Sequence, residues 1–194
     1  NICYMIKRNN VLNANIMCRG PYGKLVWTHT PTGIDSTNTR YYRAPLAQRQ
    51  DGFIYCAPYD LELLDPKTGA AVWTYVTPQI PSGVAVADDG SVVIAMSGTN
   101  AKLERVSPTG VVIWSITVAG GTSAENAPPV ITSDGNLLVS YMVSGGTNSG
   151  LQLIRVADGV PLWNWLSGTG VVGTLSSPTI TPDGRNEASI VSPT

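Results

Sequence analysis

The sequence predicts an all-β fold, a β-propeller of four-stranded antiparallel blades, and three observations predict it. Tryptophan recurs at intervals of 46, 41 and 49 residues, each time four residues after a glycine. Asp-Gly pairs alternate with the tryptophans along the chain. Short β-branched or apolar runs fill the spacers, and none of them has helical periodicity. The repeated glycines and tryptophans are Gly23, Trp27, Gly69, Trp73, Gly110, Trp114, Gly159 and Trp163.

The Asp-Gly pairs predict a tight hairpin turn between the first two strands of each blade, because glycine accepts positive φ at little cost. Asp89-Gly90, for example, separates the apolar runs Ser82–Ala87 and Ser91–Met96. A third run, Lys102–Val106, leads to the turn before Trp114, and the tryptophan strand is the fourth. Such four-stranded units bury both faces by stacking around a ring, which is how a propeller is built.

A tryptophan at one fixed place in each fourth strand supplies a large apolar wedge between neighbouring blades, and its N–H needs a partner there. The glycine in the preceding turn is expected to let the next tryptophan pack against bare backbone. Both expectations concern blade contacts and leave the ligand undefined.

The chain is interpreted as a single propeller domain or segment. We expect a partial blade at 1–30, blades at about 39–76, 81–118 and 127–166, and a partial blade at 177–194. Three assemblies fit this count: a closed four-blade ring, one ring shared by two chains, and a segment of a larger propeller. We favour the segment.

The stretch Leu64–Trp73 resembles the tryptophan-docking motif of quinoprotein-like (PQQ-type) propellers, Leu-Asp-x-x-Thr-Gly-x-x-x-Trp. The other copies in the chain are shorter versions of it. Relatives of this type generally carry seven or eight blades, so the resemblance implies a larger ring. It implies little about function, because such blades occur in alcohol dehydrogenases, in outer-membrane assembly lipoproteins and in surface proteins.

A quinone-dependent dehydrogenase of this family would have two adjacent cysteines, a carboxylate base and calcium ligands on its inner strands. The chain has no adjacent cysteines, and its predicted inner strands carry almost no acids. We therefore expect a non-enzymatic member with no cofactor and no metal. A segment of a PQQ-dependent dehydrogenase is kept as an alternative.

The single histidine and the three cysteines give few signals. His29 has no second histidine with which to form a site, and we expect a structural role for it. Cys3, Cys18 and Cys56 do not follow metal-site spacing. If the two N-terminal runs pair as a hairpin centred between residues 10 and 11, Cys3 faces Cys18, either as a disulfide or as two thiols.

Composition bounds the partners and the compartment. Lys and Arg number 12 against 13 Asp and Glu, so no global field recruits nucleic acid or an anionic membrane. No apolar run approaches the length needed to span a bilayer. A low charged fraction of 13%, with many Ser, Thr and Asn, is common in secreted and surface proteins. We expect an extracytoplasmic protein: periplasmic, secreted or at the cell surface.

The candidate binding site is a rim loop between blades. Its residues form the densest basic and aromatic cluster, joined by two residues of the inter-blade loop Ala119–Asn126: Arg40, Tyr41, Tyr42, Arg43, Arg49, Glu125 and Asn126. Loops on one rim of a propeller are a frequent binding face. The composition favours a protein partner, including a second copy of the chain. A carbohydrate ligand is the alternative, although the aromatic cluster does not recur in each blade.

Overall fold

A computed structural model of the chain describes residues 2–7, 14–32, 46–98, 100–118, 121–123, 128–143, 148–167, 179–180 and 186–187. Within these ranges the chain forms eighteen β-strands in five antiparallel sheets, with one short 3-10 turn at Pro21–Gly23. The all-β prediction is confirmed.

The first sheet has three strands in chain order, β1 (Ile2–Lys7), β2 (Ala14–Arg19) and β3 (Leu25–His29). Cys3 lies directly opposite Cys18 in the β1–β2 pairing, as the hairpin centred between residues 10 and 11 predicts. The register therefore follows from the sequence, although the residues that join the two strands lie outside the described ranges.

The second and third sheets each have four strands in chain order. The second comprises β4 (Leu46–Gln48), β5 (Ile54–Cys56), β6 (Leu61–Leu64) and β7 (Ala71–Tyr75). The third comprises β8 (Ile80–Val86), β9 (Val92–Ser97), β10 (Lys102–Val106) and β11 (Val112–Thr117). In both sheets the Asp-Gly pair joins the first two strands, and the tryptophan lies on the fourth.

The fourth sheet has five strands: β12 (Gly121–Ser123), β13 (Val130–Ile131), β14 (Asn136–Val143), β15 (Ser149–Arg155) and β16 (Pro161–Leu166). The prediction of an uninterrupted loop at Ala119–Asn126 is wrong, because β12 lies within it. β13 pairs only with the beginning of β14, which leaves the backbone N–H and C=O groups at the end of β14 without a partner from β13. β12 pairs with this end of β14, near Val143.

Two short strands follow, β17 (Thr179–Ile180) and β18 (Asn186–Glu187), which pair with each other. They lie within residues 177–194, where the sequence predicts a partial blade. Within the described part of the chain, neither of them pairs with β1.

The pairing of each fourth strand contains the same irregularity. The register shifts by one residue immediately before the tryptophan in all four described sheets that carry one. An extra residue on one strand is a β-bulge, which increases the local twist. The residues left over are apolar and exposed by 41 to 54%: Val26, Val72, Ile113 and Leu162. The bulge therefore turns this residue outward, next to a tryptophan that faces the neighbouring sheet.

Apolar side chains from successive sheets form shared cores. One cluster joins the first and second sheets through residues such as Trp27 and Leu64. The next joins the second and third through Leu63 and Ile94, and the last joins the third and fourth through Leu103. Because sheets stack face to face in chain order, the architecture is that of a β-propeller.

Candidate functional site

Three of the repeated tryptophans reach across to the next sheet, where each donates a hydrogen bond to a backbone carbonyl. The three acceptors all lie in the turn between the third and fourth strands of the following sheet. The bonds run from Trp27 Nε1 to Pro66 O (3.0 Å), from Trp73 Nε1 to Pro108 O (2.9 Å) and from Trp114 Nε1 to Val156 O (2.8 Å). A buried indole N–H is thereby satisfied at every described interface of this kind.

The repeated glycines lie under these rings. A Cβ at Gly69 would lie 2.5 Å from Trp27 Cε3, and the φ of Gly69 is +72°. Gly110 and Gly159 bear the same relation to Trp73 and Trp114, at 3.0 Å. The sequence predicts the close approach but assigns the wrong partner, because each glycine meets the tryptophan of the preceding blade rather than the next one. Only the stacking of the sheets reveals that direction.

A buried polar residue occupies the same place on the third strand of three successive sheets. Glu62, Glu104 and Gln152 each come one residue before the residue that pairs with the tryptophan. All three are at most 4% exposed. Buried carboxylates are costly unless they are hydrogen-bonded, so their partners define the chemistry of each interface.

The partner comes from the preceding sheet, two residues after its tryptophan. His29 Nε2 lies 2.6 Å from Glu62 Oε2, and the Tyr75 hydroxyl donates to Glu104 Oε2 at 2.6 Å. The corresponding residue at the third interface is Ile116, which has no polar hydrogen to donate. Gln152 Oε1 accordingly has no hydrogen-bond partner in the described part of the chain.

Glu62 is the most heavily bonded of these groups. Its Oε1 accepts hydrogen bonds from Thr32 N at 2.9 Å and Thr32 Oγ1 at 2.5 Å, and Cys56 Sγ lies 3.7 Å from Oε2. Burial acts to raise the pKa of Glu62, but the bonds from His29 and Thr32 outweigh it and hold the pKa below its ordinary value. Burial and the neighbouring Glu62 charge raise the pKa of Cys56 well above that of a free thiol. The expectation of a solely structural His29 did not include this carboxylate, which is 33 residues away.

One rim of the stacked sheets carries the Asp-Gly turns and the turns that precede the tryptophan strands; it is here called the turn rim. Five aspartates on this rim form hydrogen bonds or ion pairs within the chain. They are Asp51, Asp65, Asp89, Asp134 and Asp158. Asp65, for example, accepts the backbone N–H groups of Lys67 and Thr68 at 2.8 and 2.9 Å, which holds its pKa below the ordinary value. Arg105 bonds Asp89 at 2.7 Å and also Val156 O at 2.9 Å, so it ties two blades together. These charged groups therefore stabilise the turns and the contact between neighbouring blades.

Of the predicted rim cluster, the structure describes only Arg49. Arg40, Tyr41, Tyr42, Arg43, Glu125 and Asn126 lie outside the described residues. Arg49 follows β4 and therefore lies at the turn rim, at the opposite end of that strand from Leu46, where β4 begins. There Arg49 pairs with Asp51 at 2.8 Å and lies 5.5 Å from the centre of the Phe53 ring. Its charge is already paired, and Asp51, only two positions further along the sequence, could have indicated this contact.

A cavity of about 330 Å³ lies between the first two sheets, lined in part by Cys3, Cys18, Leu46 and Pro66. Both cysteines are free thiols. Burial and a hydrogen bond with Cys18 raise the pKa of Cys3 to about 12. Because the thiolate is the nucleophilic form, the raised pKa lowers the reactivity of Cys3 at neutral pH.

Stacked four-stranded blades, each locked to the next by a tryptophan, define a β-propeller of the PQQ-like repeat class. Residues 59–190 match the family described as outer membrane protein assembly factor BamB. The match covers more than half of the chain, and the protein belongs to this family. A comparison with curated protein sequences gives no significant match.

Solved structures share the fold at low sequence identity. BamB from Moraxella catarrhalis is 14% identical with a TM-score of 0.61, over 92% of this chain and 52% of that one. Kuenenia stuttgartiensis hydrazine synthase is 18% identical with a TM-score of 0.69, over 94% of this chain and 50% of that one. A protein of unknown function from Bacteroides caccae is 15% identical with a TM-score of 0.60, over 93% and 62%. The chain thus spans about half to three fifths of the length of these structures.

The described residues contain no helix that is long and apolar enough to cross a bilayer.

Proposed function

We propose that the chain is part of a non-enzymatic, extracytoplasmic propeller that binds protein partners on the rim opposite the turn rim, as a scaffold for an assembly. The family description, an outer membrane protein assembly factor, supports both the scaffold role and a location outside the cytoplasm. The low charged fraction of 13% and the abundant Ser, Thr and Asn agree with such a location.

The observation that carries the choice of rim is the pairing of charges at the turn rim. Five of its aspartates and Arg49 are bonded within the chain, and Arg105 is shared by two blades. Groups already engaged in this way must give up their bonds before they can bind a partner, which costs free energy. β4 begins at the opposite rim with Leu46, and in the sequence Ala44 and Pro45 separate it from the Arg40–Arg43 segment.

The chemistry of that segment indicates the partner. Two arginines flank two tyrosines in Arg40-Tyr41-Tyr42-Arg43. Arginine and tyrosine are enriched at the energetic centres of protein interfaces, because they combine a large contact area with directional hydrogen bonds. A protein surface with exposed carboxylates fits this segment best.

The test uses the full reading frame, tagged and expressed in its native host. Replacement of the four residues by alanine should abolish recovery of the partner that co-purifies with the unchanged protein, since interface centres commonly contribute more than about 2 kcal/mol per residue. The control replaces Lys67 and Arg155, which lie on the turn rim, by alanine. Equal loss in both variants, or retention in the first, would contradict the proposed rim.

Cell fractionation tests the compartment separately. The tagged protein should be recovered with the periplasmic or surface fraction, together with a known exported marker. Recovery with cytoplasmic markers alone would exclude the extracytoplasmic part of the proposal and leave the choice of rim open to the variant experiment.

A further inference from the structure

Three side chains of the types that bind transition metals converge at the interface between the first and second sheets. His29 is on β3, Cys56 on β5 and Glu62 on β6, and their ligand atoms all lie within 4.8 Å of one another. Cys56 and Glu62 are fully buried, and the His29 side chain is 12% exposed. The cluster is therefore closed to solvent at Cys56 and Glu62 and accessible to solvent only beside His29.

The distances are close to those of a tetrahedral site. Metal–ligand bonds of about 2.0 to 2.3 Å place the ligand atoms of a zinc tetrahedron about 3.3 to 3.8 Å apart. Cys56 Sγ and Glu62 Oε2 are 3.7 Å apart, within that range. His29 Nε2 and Glu62 Oε2 are 2.6 Å apart, a hydrogen-bond distance, so an ion between them requires the imidazole to withdraw by about 1 Å.

The surroundings orient the carboxylate as an outer-shell partner would. Thr32 holds the second oxygen of Glu62 through its backbone N–H and its hydroxyl, at 2.9 and 2.5 Å. Hydrogen bonds of this type fix a ligating carboxylate in place and are a regular feature of metal sites. Oε2 is left to face His29 and Cys56.

The next interface shows what the same position looks like without metal ligands. Glu104 takes the place of Glu62, but Tyr75 replaces the histidine and Ile94 replaces the cysteine. Ser115 occupies the other oxygen of Glu104, at 2.9 Å. The carboxylate therefore belongs to the repeat, whereas the imidazole and the thiol are specific to the first interface.

We propose that His29, Cys56 and Glu62 bind a divalent transition metal of the zinc class, with a fourth position open on the solvent side of His29. One thiolate, one imidazole and one carboxylate suit zinc, whereas magnesium and calcium take oxygen ligands only. Binding releases the thiol proton to solvent as the S–metal bond forms, so the charge balances. The site ties β3 of one blade to β5 and β6 of the next, and it goes beyond the proposed scaffold function.

The test measures Zn²⁺ and Co²⁺ binding to the full chain by equilibrium dialysis with elemental analysis, in a background where Cys3 and Cys18 are replaced by serine. One equivalent should bind, and Co²⁺ should give intense tetrahedral absorption together with a thiolate charge-transfer band. Cys56→Ser and His29→Gln should each weaken binding by about tenfold or more. Glu104→Gln is the matched control and should leave the affinity unchanged.

The proposed site is wrong if the background protein binds neither ion. It is also wrong if the Cys56→Ser and His29→Gln variants bind the ions as tightly as the background protein does. A weak octahedral cobalt spectrum without the charge-transfer band overturns it as well. Circular dichroism of each variant shows whether it folds. If Cys56→Ser does not fold, protection of Cys56 from alkylation by Zn²⁺ in the background protein replaces it, and an unchanged alkylation rate then overturns the site.

Discussion

At the scale of single residues, the contact between a glycine and a tryptophan ring connects the repeat to the fold. Gly69 needs its hydrogen in place of a side chain for two reasons: its φ of +72° and the Trp27 ring 2.5 Å from where a Cβ would be. Gly23 has nearly the same φ, +75°, with nothing within 4 Å. Comparing Gly69 with Gly23 therefore separates the effect of positive φ from the effect of packing against the tryptophan ring.

Gly69→Ala should lower the free energy of unfolding by about 2 to 5 kcal/mol, the sum of a left-handed backbone cost and an overpacking cost. Gly23→Ala should lose only the first, about 1 to 2 kcal/mol. Urea unfolding followed by tryptophan fluorescence measures both. Equal losses in the two variants would show that the tryptophan contact contributes nothing.

The sequence predicts these residues well because a tight turn and a large ring each leave a signature within a few positions. It predicts the Cys3–Cys18 register for the same reason, since a hairpin pairs residues symmetrically about its centre. The His29–Glu62 contact could not be predicted in this way. It joins two blades across 33 residues, and no spacing rule connects them.

At the scale of elements, the third strands of the second and third sheets each present one buried carboxylate, Glu62 and Glu104, that is hydrogen-bonded from the preceding blade. Glu104 depends on the Tyr75 hydroxyl and on Ser115. The dependence is testable because Tyr75 differs from phenylalanine by that hydroxyl alone.

Tyr75→Phe should lower the free energy of unfolding by about 1 to 3 kcal/mol, because it leaves one oxygen of a buried carboxylate without a donor. Tyr22→Phe is the control, since Tyr22 is fully exposed and its substitution should have no effect. Urea unfolding at neutral pH compares the two. A loss no larger than that of the control would mean that water replaces the tyrosine at Glu104.

Asp89 makes the stability of the turn rim depend on pH. Its partial burial acts to raise the pKa, but bonds from Ser91 and Arg105 outweigh it and hold the pKa below its ordinary value. A folded-state pKa below the unfolded one means that the contribution is present above the unfolded pKa. It is lost as the pH falls through the folded pKa.

Asp89→Asn should therefore lose stability at neutral pH and show a shallower decline on acidification below about pH 4. The effect should be small, since the Asp89 side chain is 55% exposed. Thermal unfolding across the acidic range measures it, with Asp51→Asn as a second turn aspartate for comparison. An unchanged acid profile would show that Asp89 does not contribute to the pH dependence of stability.

At the scale of the whole molecule, the stacked blades end in a face that the described residues do not cover. Trp163 and Trp165 on β16 are 42% and 41% exposed, whereas Trp27 in the first interface is 7% exposed. The difference follows from the architecture, because a blade's tryptophan is buried by the turn of the blade that follows it.

Trp27→Phe should accordingly cost about 1 to 3 kcal/mol, through the lost bond to Pro66 and lost packing. Trp163→Phe in the same chain should cost less than about 1 kcal/mol. Denaturant unfolding of both variants gives the comparison. If Trp163→Phe costs as much as Trp27→Phe, the face of β16 is covered in solution.

The fold class could be predicted from the sequence because the Asp-Gly turn and the glycine-to-tryptophan spacing recur in several blades. The candidate binding rim is less well determined, since its composition predicts a binding segment without a partner. Arg49 shows why: proximity in sequence grouped it with Arg40–Arg43, but it lies at the turn rim, at the end of β4 opposite Leu46. The direction of a strand decides which rim a residue faces, and composition does not record that.

Site-specific photo-crosslinking in living cells can show whether a protein partner binds on the rim opposite the turn rim. A photoreactive phenylalanine analogue is placed at Tyr42 or at Lys67 of the full-length protein, and covalent products are separated after irradiation. We expect a protein adduct of defined mass from position 42 and none from position 67. An adduct from position 67 alone, or equal adducts from both, would contradict the proposed rim.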